Sequence, residues 1–194
     1  MDIGSNYKNI EDAQLMQLSA KGDEKAFSEL YMRYSAKLMR FFFKMLWKDR
    51  EKAEDFTQDI FSKIIQKPEL YNPQMKFSTW IYSIANNMCK NEYRKQSVRK
   101  EVHEKISFSQ NGHVQARNEY DKNLIKSELS KAVDELDEKH KTVFIMKYKQ
   151  HLSIREIAEI IDISEGTVKS RLFYSLKKLS EKLSFFKPEK IFQS

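Results

Sequence analysis

The sequence predicts an all-α fold, with two small helical domains joined by a polar linker. Glycine and proline together make up only 7 of the 194 residues, far fewer than the turns of an all-β sandwich or barrel require. Apolar residues recur with the 3.6-residue period of a helix in both halves of the chain, and this period fails between them. The apolar content of 40% is enough to build cores, so a wholly disordered chain is not expected.

Four helices are predicted in the first half. A short helix over Glu11–Ala20 precedes a longer one, for which Asp23 is the expected N-cap. The longer helix carries one apolar stripe, made of Phe27, Leu30, Tyr31, Tyr34, Leu38, Phe41, Phe42 and Met45. A third helix over residues 53–64 ends before Pro68, and a fourth begins at Phe77.

The predicted linker covers residues 96–119, which are polar and carry no sustained period. On this basis we expect a first domain at residues 10–95, a second at 120–183 and a tail at 184–194. The second domain is again all-α, with helices predicted at about 120–136, 138–149, 154–161 and 165–183.

Composition also limits the function and the compartment. The longest apolar run is Val143–Met146, too short to span a membrane, and the chain starts without the apolar core of a secretory signal. Cys89 is the single cysteine, which excludes an internal disulfide. The four histidines lack metal-ligand spacing and no glycine-rich phosphate loop occurs. We therefore expect a cytoplasmic protein that is not an enzyme and needs no cofactor or metal. The net charge of +7 permits binding to nucleic acid.

Residues 153–179 have the layout of a helix-turn-helix. Ala158 is small where two helices cross, Ile163 is an apolar plug in the turn, and Ser164 is a good N-cap for the second helix. The inward face of that helix is predicted to be Val168, Leu172, Leu176 and Leu179. Its outward face, the one that enters a major groove in such motifs, is predicted to be Gly166, Thr167, Ser170, Phe173, Tyr174 and Lys177. The segment from residue 166 to residue 182 carries a net charge of +4, which favours phosphate contacts. The alternative is a plain helical hairpin with a solvated basic face.

The helix from Phe77 has a polar face opposite its apolar stripe. This face consists of Thr79, Ser83, Asn86, Lys90 and Arg94, whose hydroxyls, amides and cations suit bases and phosphates. Nearby aromatic residues such as Trp80 could stack unpaired bases, and the preceding loop could wall a pocket for a flipped base. The alternatives are that Phe77 and Trp80 are core residues and that the polar face is an ordinary solvated surface.

The segment from Asp49 to Asp59 is acidic, with five acids, two bases and a net charge of −3. An acidic surface beside a nucleic-acid face suits a basic protein partner. The alternative is that these acids complement the dipole of a helix N-terminus.

Four segments in this order resemble a bacterial RNA polymerase sigma factor of the extracytoplasmic-function (ECF) type, in the sigma-70 family. AFSELYMRYSAKLMRFF resembles the start of the first conserved domain, and AEDFTQDIF resembles the polymerase-binding segment. FSTWIYSIANNMCKNEYRK is similar to the segment that melts and reads the −10 element, and SIREIAEIIDISEGTVKSRL to the helix-turn-helix that reads the −35 element. The expected fold is thus a region 2-like bundle followed by a region 4-like helix-turn-helix.

The resemblance implies the partners and the site residues. Asp55, Gln58 and Asp59 would bind core RNA polymerase, at the clamp helices of its β′ subunit. The −10 strand would meet Lys76, Asn86, Lys90, Asn91 and Arg94, with a flipped base held by the loop Tyr71–Lys76. The −35 duplex would meet Thr167, Lys169, Ser170, Arg171, Phe173, Tyr174 and Lys177. The implied partners are core polymerase (β and β′ subunits), promoter DNA and an anti-sigma factor, without membrane insertion.

The chain departs from the family at the turn of the helix-turn-helix, where Asp162 replaces the usual glycine. Aspartate tolerates the left-handed backbone conformation better than most residues, so we expect the turn to form. Two other functions compete with that of a sigma factor. One is a two-domain regulator that binds duplex DNA without polymerase, and the other, without support from any motif, is an enzyme.

Overall fold

A computed structural model describes residues 7–103 and 122–183. Within these two segments the regular structure is helical, without strands, which confirms the predicted fold class. The α-helices are α1 (Asp12–Ala20), α2 (Glu24–Met45), α3 (Arg50–Gln66), α4 (Phe77–His103), α5 (Lys122–Asp134), α6 (Glu138–Tyr148), α7 (Ile154–Ile161) and α8 (Glu165–Lys182). In the described segments, none of these helices has the length and apolar character needed to cross a membrane.

The first half of the chain, residues 7–103, is a bundle built around α2. The side chain of Asp23 accepts hydrogen bonds from the backbone N–H groups of Lys25 and Ala26, both at 3.0 Å, so the predicted N-cap is confirmed. The apolar stripe of α2 packs against α1, α3 and α4. Leu30, Leu38 and Phe41 on this stripe are fully buried.

An aromatic cluster fixes the loop that leads into α4. The Trp80 ring centroid lies 5.2 Å from that of Tyr71 and 5.6 Å from that of Phe77. Trp80 also donates a hydrogen bond from Nε1 to the carbonyl oxygen of Leu70, at 3.1 Å. Phe77 and Trp80 are buried, which confirms the interpretation that they are core residues rather than a platform for stacking bases.

The fourth helix is longer than the sequence pattern indicated. The linker is predicted to begin at Gln96, but α4 continues to His103. Residues 96–103 contain no glycine or proline, and half of them (Gln96, Arg99, Lys100 and Glu101) are good helix formers, so the sequence allows the helix to extend. The remaining residues of the predicted linker, 104–119, lie outside the described residues, as does the predicted tail.

In the second half, residues 122–183, the predicted helix-turn-helix is present. Ser153 and Glu156 form a reciprocal capping box at the start of α7. Asp162 has a left-handed backbone with φ of 56°, as expected for aspartate at this turn. The side chain of Ser164 accepts a hydrogen bond from the backbone N–H of Thr167 at 3.1 Å and caps α8. Ile163 packs against the core as the predicted plug.

One prediction for α8 was wrong. Leu176 was expected to face inward, but it is 45% exposed, and Ser175 is fully buried in its place. The Ser175 hydroxyl donates to the carbonyl oxygens of Arg171 and His140, at 2.7 Å and 3.1 Å. A small hydroxyl residue fits where α8 approaches α6, because these two bonds satisfy it without a bulky side chain.

Candidate nucleic-acid and partner interfaces

Three predicted partner-binding residues lie together on α3. Asp55, Gln58 and Asp59 are all exposed, and their spacing of three and four residues puts them on one side of the helix. The opposite side holds α3 to the bundle through Ala53, Thr57, Ile60, Phe61 and Ile64. The acidic face of α3, meaning Asp55, Gln58 and Asp59, is therefore displayed by a helix that is firmly anchored.

A groove that the sequence did not reveal borders this acidic face. It encloses about 260 Å³ between α2 and α3, and Tyr31, Met39 and Gln58 are among its lining residues. Tyr31 was expected in the buried stripe of α2, and this was wrong, since it is 45% exposed. Its ring packs on Phe61, at 4.7 Å between centroids, and the rest of the ring faces solvent. The phenolic hydroxyl of Tyr31 was the sequence feature that could have indicated this exposure. Tyrosine is common at positions where one end of the side chain packs on apolar groups and the other end contacts water.

The loop before α4 is held in a defined turn. Tyr71 is buried, and its hydroxyl donates to the carbonyl oxygen of Met75 at 2.9 Å. The backbone N–H of Gln74 donates to the side chain of Asn72, also at 2.9 Å. At the end of this loop Lys76 is exposed, and its Nζ lies 3.1 Å from Glu156 Oε1 on α7.

The predicted −10 residues of α4 fall into two groups. Lys90, Asn91 and Arg94 are exposed, whereas Asn86 is only 1% exposed because the second half of the chain packs over this part of α4. A groove of about 570 Å³ runs between the two halves. Asn86, Lys90 and Arg94 line one side of it, and Arg171 of α8 lines the other. The fold thus brings predicted −10 and −35 residues to opposite walls of one groove.

The predicted −35 residues form the outer face of α8. Arg171 is half-buried, and the exposed members are Thr167, Lys169, Ser170, Phe173, Tyr174 and Lys177. Phe173 is 63% exposed and Tyr174 is 51% exposed. Two adjacent large aromatic side chains are thus exposed among the cations of this face.

A polar network ties α8 to the start of α6. Asp137 caps α6 by accepting from the backbone N–H of His140 at 3.2 Å, and it also accepts from Lys178 Nζ of α8 at 3.0 Å. Burial by itself would raise the pKa of Asp137, but the hydrogen bonds from Lys178 and His140 outweigh it and hold this pKa well below its ordinary value. The network links the last turns of α8 to the first turn of α6.

Cys89, the single cysteine, lies in the core of the first half. Cys89 is 1% exposed, and burial raises the pKa of its thiol, so the thiol stays protonated at neutral pH. Residues 7–103 and 122–183 contain no group of three or more histidine, cysteine or acidic side chains that could hold a metal ion. Cys89 acts as a small apolar core residue.

Each half of the chain matches a known protein family model. Residues 30–99 match the model of sigma-70 region 2, and residues 126–179 match that of sigma-70 region 4. The ECF RNA polymerase sigma factor SigW of Bacillus subtilis is 31% identical over 172 residues, which is 84% of this chain and 91% of SigW. The chain belongs to the sigma-70 family. An ECF RNA polymerase sigma-E factor of Haemophilus influenzae is 28% identical over 186 residues, covering 91% of this sigma factor and 97% of the relative.

Solved structures share the fold of this sigma factor. CnrH, in its complex with the cytosolic domain of CnrY, aligns with a TM-score of 0.67 at 20% identity, over 91% of this chain and 99% of CnrH. RpoE of Bartonella quintana, in its complex with the anti-sigma factor NepR, aligns with a TM-score of 0.68 at 20% identity, over 84% of this chain and 99% of RpoE. At this identity the likeness concerns the fold. The family assignment makes the chain a transcription initiation factor that works with RNA polymerase.

Proposed function

We propose that this sigma factor divides its task among three helix faces. The acidic face of α3 binds core RNA polymerase, the polar face of α4 holds the unpaired −10 strand, and the outer face of α8 reads the −35 duplex. The observation that carries this division is the placement of acidic, mixed polar and basic-aromatic surfaces on three separate helices, in the order that regions 2 and 4 require.

The polymerase contact is supported by the chemistry beside α3. Asp55 and Asp59 present two carboxylates, and Tyr31 offers an exposed aromatic ring in the adjoining groove. An apolar anchor next to complementary charge is typical of a protein–protein interface, whereas DNA phosphates would be repelled by these carboxylates. The partner surface that fits this face is a basic one. The proposal assigns it to the β and β′ subunits of core polymerase, at the β′ clamp helices.

The −35 contact is supported by the composition of α8. Lys169, Arg171 and Lys177 supply charge for phosphates, and Thr167 and Ser170 supply hydroxyls for base edges. Phe173 and Tyr174 are large and exposed, so they suit apolar contact with thymine methyl groups in the major groove. A helix of this kind, placed second in a helix-turn-helix, enters the major groove.

The −10 contact depends on trapping bases after the duplex opens. DNA stacking is worth about 1.4 kcal/mol per step on average. Lys76, Lys90, Asn91 and Arg94 are exposed donors that can hold the separated strand and offset this cost. Asn86 joins them when the second half moves away from α4, and the turn at residues 71–76 then borders the strand.

The proposal covers the remaining features of the chain as well. Residues 10–95 and 120–183 are its two domains, with residues 96–119 as the linker and 184–194 as the tail. The chain performs no catalysis itself, works in the cytoplasm with the polymerase, and is held in check by an anti-sigma factor. For the last point, the structure of RpoE bound to NepR is a precedent in a protein of the same fold.

The decisive experiment is transcription of fragmented genomic DNA by purified core polymerase, with and without this chain, followed by sequencing of transcript 5′ ends. We expect a set of shared start sites that appears only with the chain. An unchanged set of 5′ ends would contradict the proposed function and would favour the regulator that acts without polymerase.

The acidic face of α3 is tested by Asp55→Arg, which should weaken binding to core polymerase by at least about tenfold, because one carboxylate becomes a repelling cation. Glu69→Arg is the matched control, since Glu69 is an exposed acid outside α3. Affinity is measured by biolayer interferometry, with circular dichroism to show that both variants fold. Equal affinities for the two variants would move the polymerase site away from α3.

A further inference from the structure

The turn between α2 and α3 holds two successive side chains in a strained backbone conformation. Trp47 has a φ of 53° and Lys48 a φ of 62°, so both residues lie in the left-handed region. Glycine adopts this region at no steric cost, whereas a bulky side chain there is rare. Non-glycine residues held in this region cluster at functional sites, where the surrounding structure compensates for the strain. The presence of tryptophan at this turn therefore needs a physical explanation beyond the formation of the turn itself.

The contacts of the Trp47 ring show that it is fixed but not covered. Its centroid lies 5.1 Å from the ring centroid of Tyr93 on α4, in an edge-to-face arrangement, and 6.0 Å from Lys52 Nζ. Trp47 is nevertheless 45% exposed, whereas the adjacent Met45 and Leu46 are buried and supply the core contacts of this turn. The indole ring is thus held in one place, with a large part of it facing solvent.

Tyr93 connects Trp47 to the polar face of α4. Tyr93 lines the groove of about 570 Å³ together with Lys90 and Arg94. Its hydroxyl donates a hydrogen bond to the carbonyl oxygen of Met45 at the end of α2, which ties the turn that carries Trp47 to α4. Trp47 therefore extends the surface that is assigned to the −10 strand.

The order of the chain gives this end of α4 a direction on the promoter. Tyr93 lies about 24 Å along the helix axis from Phe77, where α4 begins. Beyond Tyr93 the chain leads to the half that is proposed to read the −35 element, which lies upstream of the −10 element. Trp47 is therefore placed at the upstream end of the −10 surface, where the duplex gives way to separated strands.

The part of α4 beside Trp47 is strongly basic. Between residues 90 and 100, α4 carries five lysine or arginine residues and one acid, for a net charge of +4. The one acid, Glu92, forms an ion pair with Lys52 at 2.7 Å. A cationic surface follows the phosphates of a single strand, and an exposed aromatic ring stacks on a base of any identity, because every base has a π-face. Positive charge beside an exposed ring is therefore typical of surfaces that bind single-stranded nucleic acid.

We propose that Trp47 is a further DNA-contact residue, on which the first unpaired base at the upstream end of the opened −10 region stacks. The inference rests on the −10 role that is proposed for α4 above. A base at this boundary loses a stacking neighbour when the duplex opens, and the indole ring replaces that neighbour. Tyr93 and Lys52 hold the ring before DNA arrives, so little conformational freedom is lost on binding. The strained turn keeps the ring in this place.

Substitutions at Trp47 separate the role of the ring from that of the turn. Trp47→Gly removes the ring and relieves the left-handed strain, and Trp47→Asn removes the ring with a residue that tolerates this conformation. Both variants should fold, with melting temperatures within about 5 °C of the unsubstituted chain, because relief of strain offsets the lost packing of a partly exposed ring. Trp47→Phe keeps an aromatic ring. Tyr148→Ala is the matched control, since Tyr148 is 42% exposed and belongs to none of the proposed DNA or polymerase surfaces.

Binding is measured by fluorescence anisotropy with the holoenzyme and a DNA fork made from a promoter identified by transcript mapping. The fork is duplex on the upstream side and continues as a single non-template strand through the −10 element. Holoenzymes with Trp47→Gly or Trp47→Asn should bind this fork about tenfold more weakly than the unsubstituted holoenzyme, a loss in the range for one stacked base. Trp47→Phe should retain most of the affinity, and Tyr148→Ala should retain all of it.

Stacking itself is observed with 2-aminopurine in place of the first unpaired base of the fork. The fluorescence of 2-aminopurine is quenched when the base stacks. Its emission should therefore stay low with the unsubstituted holoenzyme and rise with Trp47→Gly. A 2-aminopurine further along the single strand is the control position, where the two holoenzymes should give equal emission.

Three other outcomes would count against these assignments. Equal fork affinity and equal 2-aminopurine emission for Trp47→Gly and Tyr148→Ala would overturn the stacking role and leave the proposed function intact. Weaker binding of Trp47→Gly to core polymerase, with fork binding by the saturated holoenzyme unchanged, would assign the ring to a protein contact and would also overturn the stacking role. An unsubstituted holoenzyme that does not prefer the fork to one with a scrambled −10 sequence would contradict the −10 role of α4, and with it the proposed function.

Discussion

At the scale of single residues, the helix ends are set by local chemistry. Asp23 and Ser164 each bond to backbone N–H groups two or three residues ahead, and Asp162 takes the left-handed turn that the family usually gives to glycine. All three were predicted because a cap depends only on the residue and its immediate neighbours. Asn86 is different, since its burial depends on a helix about seventy residues further along the chain.

Asp137 provides a prediction at this scale. Asp137→Asn should lower the free energy of unfolding by about 1 kcal/mol at pH 7, a small value because the side chain is about half exposed. The pKa of Asp137 is depressed in the folded chain, so its charge stabilises the fold above the ordinary carboxyl pKa of about 4. This stabilisation is lost as the pH falls from there through the depressed value.

The check on Asp137 is urea unfolding followed by circular dichroism, at pH 7 and at lower pH down to about 3. The difference in the free energy of unfolding between Asp137→Asn and the unsubstituted chain should become smaller between about pH 4 and about pH 3. A gap that widens with acidification would show that the charge of Asp137 does not act in this way.

At the scale of elements, the apolar period predicted where each helix lies in the chain, but it did not always predict which side of the helix is buried. The bounds of α7 agree with the predicted 154–161, and α8 begins one residue after its predicted cap. The prediction that Leu176 faces inward was wrong. Ser175 and Leu176 are adjacent, and a pattern of apolar residues favours the leucine for the buried position. The buried position went to Ser175, whose hydroxyl has two carbonyl oxygens in reach.

The outer face of α8 gives a prediction about salt. Arg171→Ala should weaken promoter binding by the holoenzyme and reduce the slope of log affinity against log salt by about 0.9, the value for one phosphate contact. Arg155→Ala is the control, because Arg155 is a highly exposed cation on α7 that pairs with Glu159. Anisotropy titrations of a labelled promoter at several salt concentrations give both slopes. If Arg171→Ala leaves the slope unchanged, its side chain does not contact a phosphate.

At the scale of the whole molecule, the two halves are joined by contacts as well as by the chain. α7 packs on α4, α6 packs on α2, and lysines of the first half meet carboxylates of the second. The surfaces assigned to DNA therefore cannot all be used in this arrangement. Each half is also small, so either one alone offers few DNA contacts, and their linkage on the polymerase raises the effective concentration of the second.

This arrangement predicts a large difference in DNA affinity between the free chain and the holoenzyme. At equal salt, the holoenzyme should bind a promoter identified by transcript mapping at least about 10²-fold more tightly than the chain alone. Fluorescence anisotropy of the labelled promoter measures both, with core polymerase alone as the control. Comparable affinities for the free chain and the holoenzyme would favour a regulator that needs no polymerase.

The sequence by itself determined the all-α class, the order of the helices, the caps and the turn at Asp162, because these follow from periodicity and from bonds between residues close in the chain. It also carried the family, through motifs of adjacent residues. The tertiary structure alone decided that Asn86 and Thr79 are buried, that Tyr31 is exposed and that Ser175 replaces Leu176 in the core. Burial of Asn86, Thr79 and Ser175 depends on which distant helix comes to lie over them, and no local pattern records that choice.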